Sequence, residues 1–116
     1  MNRHRAEKRG RGAESLACWY LRLHGWHILA RRARAPGGEV DIVARRGRTL
    51  AFVEVKARAT EAAAAFALDQ YRLRRVAVAA ERLAPRYMRE GDDIRVDALF
   101  IVPWRWPRHL TNVWQG

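Results

Sequence analysis

Apolar positions recur along this chain with two different periods, and the switches between them mark out its elements. Between residues 13 and about 24, Leu16, Trp19, Tyr20 and Leu23 return at three- and four-residue spacing, which predicts an amphipathic helix, and Gly25 follows where helices favour a left-handed cap. WHILARRAR, residues 26–34, is short and rich in branched side chains and predicts a first strand, with a turn at Ala35-Pro36-Gly37-Gly38. Two apolar runs, residues 39–44 and 50–57, flank RRGRT with a glycine at its centre, the pattern of a hairpin. Thr60 is placed to cap a long alanine-rich helix carrying Phe66, Leu68, Leu73, Val76, Ala80 and Leu83 and ending at Pro85. DIRVDALFIV, residues 93–102, predicts a buried strand, and HLTNVW a short last one beyond the loop PWRWPR. The order α-β-β-β-α-β-β predicts one α/β domain with a mixed central sheet flanked by helices.

Residues 1–12, MNRHRAEKRGRG, show no apolar period and are strongly basic, so the expectation is a flexible basic arm ahead of a domain spanning residues 13–116. With 116 residues and 49% apolar composition, the chain can build one core and no second. The excess of 23 basic over 12 acidic residues, a formal net charge of +11, changes the picture more: an anionic polymer is the first partner to consider, nucleic acid ahead of membrane. Cys18 is the single cysteine, which excludes an intrachain disulfide and a cysteine metal cluster and fits a reducing cytoplasm. LACWYL is too short for a signal-peptide core or a membrane span, so a soluble cytoplasmic protein without a membrane partner is expected.

Among 21 arginines the chain keeps only two lysines, Lys8 and Lys56. On a strand, side chains two apart share a face, so Glu54 and Lys56 project with Leu50 and Phe52, while Ala51, Val53, Val55 and Ala57 form a wholly apolar side. Asp41 belongs to the preceding strand, with Glu39 and Val43 on its side. Because 41 and 54 differ in parity, an even hairpin loop brings them together and an odd one separates them; the commoner two- or four-residue loop makes them neighbours or near-diagonal. Two ionised carboxylates that close repel, and a divalent cation removes the conflict. Oxygen ligands suit Mg²⁺ or Mn²⁺, which takes one or two protein carboxylates and leaves room for a phosphate oxygen. Lys56 would orient a water or neutralise charge on phosphorus, tasks for which a planar guanidinium is a poor substitute. Glu14, opening the first helix, is a candidate additional ligand. The same short pattern also fits an acid–lysine salt bridge at a sheet edge, and Glu14 also fits a solvated first-turn charge.

GAESLACWYLRLHGWHILARRARAPGGEVDIVARRGRTLAFVEVKAR, the basic helix around DQYRLRRVAVAAERL, then RVDALFIV and HLTNVW together resemble the YraN-like uncharacterised protein family. GEVDIV and FVEVKAR are the specific part. The resemblance implies the restriction-endonuclease-like, PD-(D/E)XK, fold shared with Holliday-junction resolvases. It also implies metal-binding carboxylates at Asp41 and Glu54 with the Val55 carbonyl, a catalytic lysine at Lys56, and Glu14 assisting through metal or water. The function expected is a Mg²⁺- or Mn²⁺-dependent DNA endonuclease acting on branched or otherwise non-B-form DNA, with Arg58, Gln70, Arg72, Arg74 and Arg75 as nucleic-acid contacts. A DNA-binding adaptor of the same fold that does not cut is the alternative. Resolvase-like enzymes cut in pairs, which would make the chain a homodimer. Two departures stand out: Asp69-Gln70 replaces the lysine–glutamine usual in similar sequences, and an asparagine common near Arg32 is absent.

Smaller signals complete the picture. His24 and His27 straddle a helix end, a poor arrangement for shared zinc. Trp19, Tyr20 and Trp26 are expected in the core. WRWPR, residues 104–108, mixes aromatics with arginine as single-strand stacking surfaces do, but the expectation is a packed loop whose tryptophans cover the end of the sheet.

Overall fold

A computed structural model describes the backbone of residues 2–114 and the side chains of residues 12–114. Helix α1 (Asn2–Leu23) is followed by strands β1 (His27–Ala35), β2 (Gly38–Arg46) and β3 (Thr49–Ala57), helices α2 (Glu61–Ala67) and α3 (Gln70–Tyr87), and strands β4 (Asp93–Ile101) and β5 (Arg108–Leu110). The five strands form one sheet in chain order, and only the β3–β4 pair is parallel. A parallel neighbour requires a crossover, which α2 and α3 supply. The single α/β domain and its element order are as the periodicity predicts.

The helices cover opposite faces of the sheet. Val43, Leu50, Phe52 and Val96 pack with Leu73, Val76 and Leu83 of α3, whereas Ile42, Ala44, Ala51, Val53 and Leu99 pack with Ala17, Cys18 and Leu21 of α1. Both faces of β3 are therefore buried over most of its length, as expected of the middle strand. Helix α1 ends in a Schellman cap: the Trp26 N–H donates to the Leu21 carbonyl and the Gly25 N–H to that of Arg22, each at 3.0 Å, with Gly25 at φ +86°. At the opposite end, Arg45 donates to both oxygens of Asp92, at 2.8 and 2.6 Å, and to the Tyr87 carbonyl, tying the hairpin to the connection that leads into β4.

Several sequence expectations are corrected. Helix α1 begins at Asn2 and not near residue 13; the side chains of residues 2–11 lie outside the described part. The long second helix is two helices. Asp69 adopts extended backbone and its carboxylate accepts the Arg72 N–H at 2.8 Å, starting a new helix where unbroken alanine content suggested continuation. That helix also runs past Pro85 to Tyr87, because a single proline removes one hydrogen bond and the ladder resumes with the Met88 N–H on the Ala84 carbonyl. The last strand is shorter than HLTNVW. Trp26 is buried and Tyr20 partly so, but Trp19 is half exposed, and Trp104 and Trp106 do not cover the sheet end: Pro107 is buried there while both indoles stand in solvent.

Among the described glycines the tightest approach is at Gly38, where a β-carbon would lie 2.4 Å from the Arg75 carbonyl oxygen and 3.2 Å from the Ala79 side chain. A backbone oxygen inside a helix cannot swing aside, so any larger residue must lift α3 off β2. Gly38→Ala should therefore lower stability by roughly 1–3 kcal/mol, measurable as a fall in urea midpoint at unchanged slope.

Candidate active site

The hairpin that carries the acidic residues has a two-residue loop, Gly47-Arg48, and its register runs from Arg46↔Thr49 to Ile42↔Val53. This is the even loop that places 41 and 54 together. Asp41 then sits where the side chains of β2 change face. The β1–β2 register shifts between Ile28 and Ala30 and is constant from there on, running from Arg31↔Ile42 to Ala33↔Val40 across Arg32, which has φ +52°. Consistent with a change of phase, Val40 and Val43 both pack toward α3 while Ile42 and Ala44 pack toward α1. Continued pairing would set Val55 opposite Val40; instead the Val55 N–H donates to Asp41 Oδ2 at 2.7 Å. A side-chain carboxylate thus replaces a main-chain acceptor. Because a strand residue's N–H and C=O leave on the same edge, the Val55 carbonyl faces this side too.

Asp41, Glu54 and Lys56 line one open cleft of about 670 Å³, together with Glu39 and with Asp69, Tyr71, Arg72 and Arg75 from the start of α3. The three residues singled out in the sequence therefore converge. Lys56 is only 8% exposed and, among the described residues, forms no ion pair. Its strand is the middle one, so the edge salt bridge weighed on the sequence does not form. Burial and the hydrogen-bonded Asp41 carboxylate push Glu54 up to about 9 against the pull of Lys56 and Arg72. Two acids in contact, with cations near but not paired to them, are a donor set short of one positive charge at neutral pH. That chemistry fits a divalent ion held by two carboxylates and a carbonyl with water completing its shell. Among the described residues no three His, Cys, Asp or Glu side chains are grouped so as to hold one metal ion together, so a water-poor zinc-type site does not fit.

Other expected site residues fall elsewhere. Both oxygens of Glu14 accept from Arg32 Nε, at 3.1 and 3.0 Å, with Arg31 at 4.0 Å, and Glu14 does not line the cleft. The structure thus brings Glu14 to Arg32 and does not bring it together with Asp41, Glu54 and Lys56. Arg72 and Arg75 overlook the cleft; Arg74 faces the opposite flank of α3 beside Ile94 and Trp114, Gln70 is exposed outside the lining, and Arg58 lies beyond the end of β3. Sequence reasoning missed Tyr71 and Asp69 as cleft residues. The cap at Asp69 was their available signal, since it turns the first turn of α3 toward Glu54.

Relatives and a family profile agree on one assignment. The family model described as "Uncharacterised protein family UPF0102" matches residues 13–101. A UPF0102 protein of Sphingopyxis alaskensis is 61% identical over 99% of this chain and 99% of its own length. One of Rhizorhabdus wittichii is 57% identical over 100% and 99%, and one of Erythrobacter litoralis is 50% identical over 99% of each.

Folded protein retains the Glu54 proton up to about pH 9, whereas the unfolded chain releases it near the ordinary value of 4.5. The folded state thus binds the extra proton throughout that window, and metal-free stability should fall as pH rises across it. Denaturation at stepped pH checks this, with Glu54→Gln flattening the slope and Mg²⁺ stabilising more at pH 9 than at pH 6. Glu14→Gln should cost about 1–2 kcal/mol through the weakened arginine contact yet leave Mg²⁺ affinity, read by titration calorimetry, unchanged.

Proposed function

We propose, for a chain that belongs to the UPF0102 family, the YraN-like proteins, metal-dependent hydrolysis of phosphodiester bonds in DNA. The observation that carries this reading is the contact of the Asp41 and Glu54 carboxylates in a cleft that also holds the buried Lys56. The element order and the placement of acid, acid and lysine on the second and third strands support the restriction-endonuclease-like assignment. A net charge of +11 supports a polyanionic substrate.

Asp41, Glu54 and the Val55 carbonyl would hold Mg²⁺ or Mn²⁺, which when bound supplies Lewis-acid polarisation of a phosphoryl oxygen and neutralises charge in the transition state. The chain's own residues do the rest. The Val55 N–H fixes one Asp41 oxygen, leaving the other toward Glu54. Lys56, unpaired and held by the packed strand, donates to the attacking water or to a non-bridging oxygen as negative charge grows there. Its compact ammonium suits a position reached from a strand with little room for a guanidinium. Arg72 and Arg75, one helical turn apart at the rim, grip the phosphates on either side of the scissile one. Tyr71 offers an aromatic edge beside them. Asp69, tied to the Arg72 N–H and lying 3.8 Å from its side chain, holds that guanidinium at the rim rather than free in solvent.

Supercoiled, linear, single-stranded and four-way-junction DNA incubated with Mg²⁺ or Mn²⁺ provides the test. The wild type should cut at least one of them, four-way or otherwise branched DNA foremost, and Glu54→Ala and Lys56→Ala should each slow cleavage by about 100-fold or more. Cleavage untouched by both substitutions would be contamination and end the proposal. Binding by all three proteins with cleavage by none would assign the chain to non-catalytic DNA binding.

A further inference from the structure

The segment joining β4 to β5, residues 102–107, places its most apolar side chains in water. Trp104 is 102% exposed and Trp106 74%, and the Trp106 ring lies within 6° of parallel to Trp19, 6.4 Å away between centroids. Burying one such indole would be worth roughly 1.5–3 kcal/mol or more, on the scale of other large apolar side chains. The presentation is also built rather than loose. Trp104 holds φ +64°, a region bulky residues avoid, and the Arg105 N–H closes the turn on the Val102 carbonyl while Pro103 and a buried Pro107 restrict the backbone on either side.

Beside this aromatic face runs a groove of about 760 Å³ between the Gly12–Leu16 part of α1 and the ends of β3 and β4. Its lining contains Arg58 and Arg105 and no acidic residue. Among the described residues neither arginine forms an ion pair, and the groove sets both positive charges next to flat apolar rings. Lys56 immediately precedes Ala57, which lines the groove, so groove and catalytic cleft lie on the two sides of the same strand end. A second copy of the chain is a poor occupant, because a two-fold contact would set these arginines against their own images. Duplex DNA is also poor, since its bases are already stacked on one another. An unpaired strand offers both partners at once, base faces for the indoles and phosphates for the arginines.

We infer that Trp104 and Trp106, with Arg58 and Arg105, form a docking surface for single-stranded DNA beside the phosphodiester-cleaving cleft. The substrate class follows: duplex DNA with an unpaired segment next to the bond that is cut. Only this last step rests on the nuclease reading. Strand binding itself needs neither metal nor cleavage.

The test measures fluorescence anisotropy of a labelled twelve-nucleotide thymidine strand and of a blunt mixed-sequence duplex, in EDTA. Wild type is compared with Trp104→Ala/Trp106→Ala and with Trp104→Tyr/Trp106→Phe, all first shown to melt alike. Stacking lost at one or two bases should weaken single-strand binding by about 10- to 100-fold, leave the duplex within about twofold, and be largely restored by the aromatic pair. Equal loss on both DNAs, no loss on either, or failure of the aromatic pair to rescue overturns the inference. Sedimentation of the same proteins adds a further way to fail: a wild-type dimer made monomeric by the alanine pair makes the patch an interface between copies. If nothing is cut yet the single-strand arm behaves as expected, the docking surface stands and the nuclease reading falls; cleavage with no single-strand difference gives the reverse.

Discussion

One hydrogen bond organises the functional half of this molecule: the Val55 N–H donating to a carboxylate of Asp41 where the neighbouring strand would ordinarily present a carbonyl. A main-chain donor on a middle strand must find an acceptor. Because the side chains of β2 change face at this point, the acceptor comes from a side chain, and satisfying the backbone therefore draws an acid toward Glu54. The repulsion that results is a consequence of the fold's own hydrogen-bond requirement. Relief comes from a proton on Glu54, or from the divalent cation proposed for this cleft.

The supports of this arrangement lie outside the cleft. Glu14, on α1, grips Arg32, whose positive φ falls opposite Asp41 in the ladder, so a helix on the apolar face helps hold the backbone beside Asp41 on the other. Gly38 lets α3 settle against β2 closely enough for Arg72 and Arg75 to overlook the acids. Asp69 sets where that helix starts. None of these three residues need touch the proposed substrate, yet each bears on where a cleft residue stands.

Much of this geometry could be read from residue types alone. Alternation within LAFVEVKA sorts β3 into a polar-ended and an apolar face, and RRGRT permits a two-residue turn, so the meeting of Asp41, Glu54 and Lys56 follows from parity. What escaped was set by longer-range packing. Nothing local marks Arg32 for a positive φ, so the change of face beside it and the pairing with Glu14 were invisible. The break before Asp69 was masked by alanine propensity, although its carboxylate is an ordinary cap. Treating the basic residues of α3 as one stripe overlooked that 72 and 75 share a face while 74 points away, as helical spacing requires. Tryptophans at 104 and 106 were assigned to packing because that is the usual fate of large apolar side chains; the two flanking prolines hold them out instead.

These features also argue against stability as the reason for the cleft. A core shaped only to fold would place apolar side chains at 54 and 56, continuing the contacts that Leu50 and Phe52 make with α3. The chain instead buries an unpaired lysine, presses two acids together, and leaves two indoles exposed within a few residues of the same strand ends. Each is a cost that local packing does not recover. Their concentration at one end of an otherwise well-filled sheet, under a large positive net charge, supports the proposal that the ligand is an anionic, partly unstacked polymer.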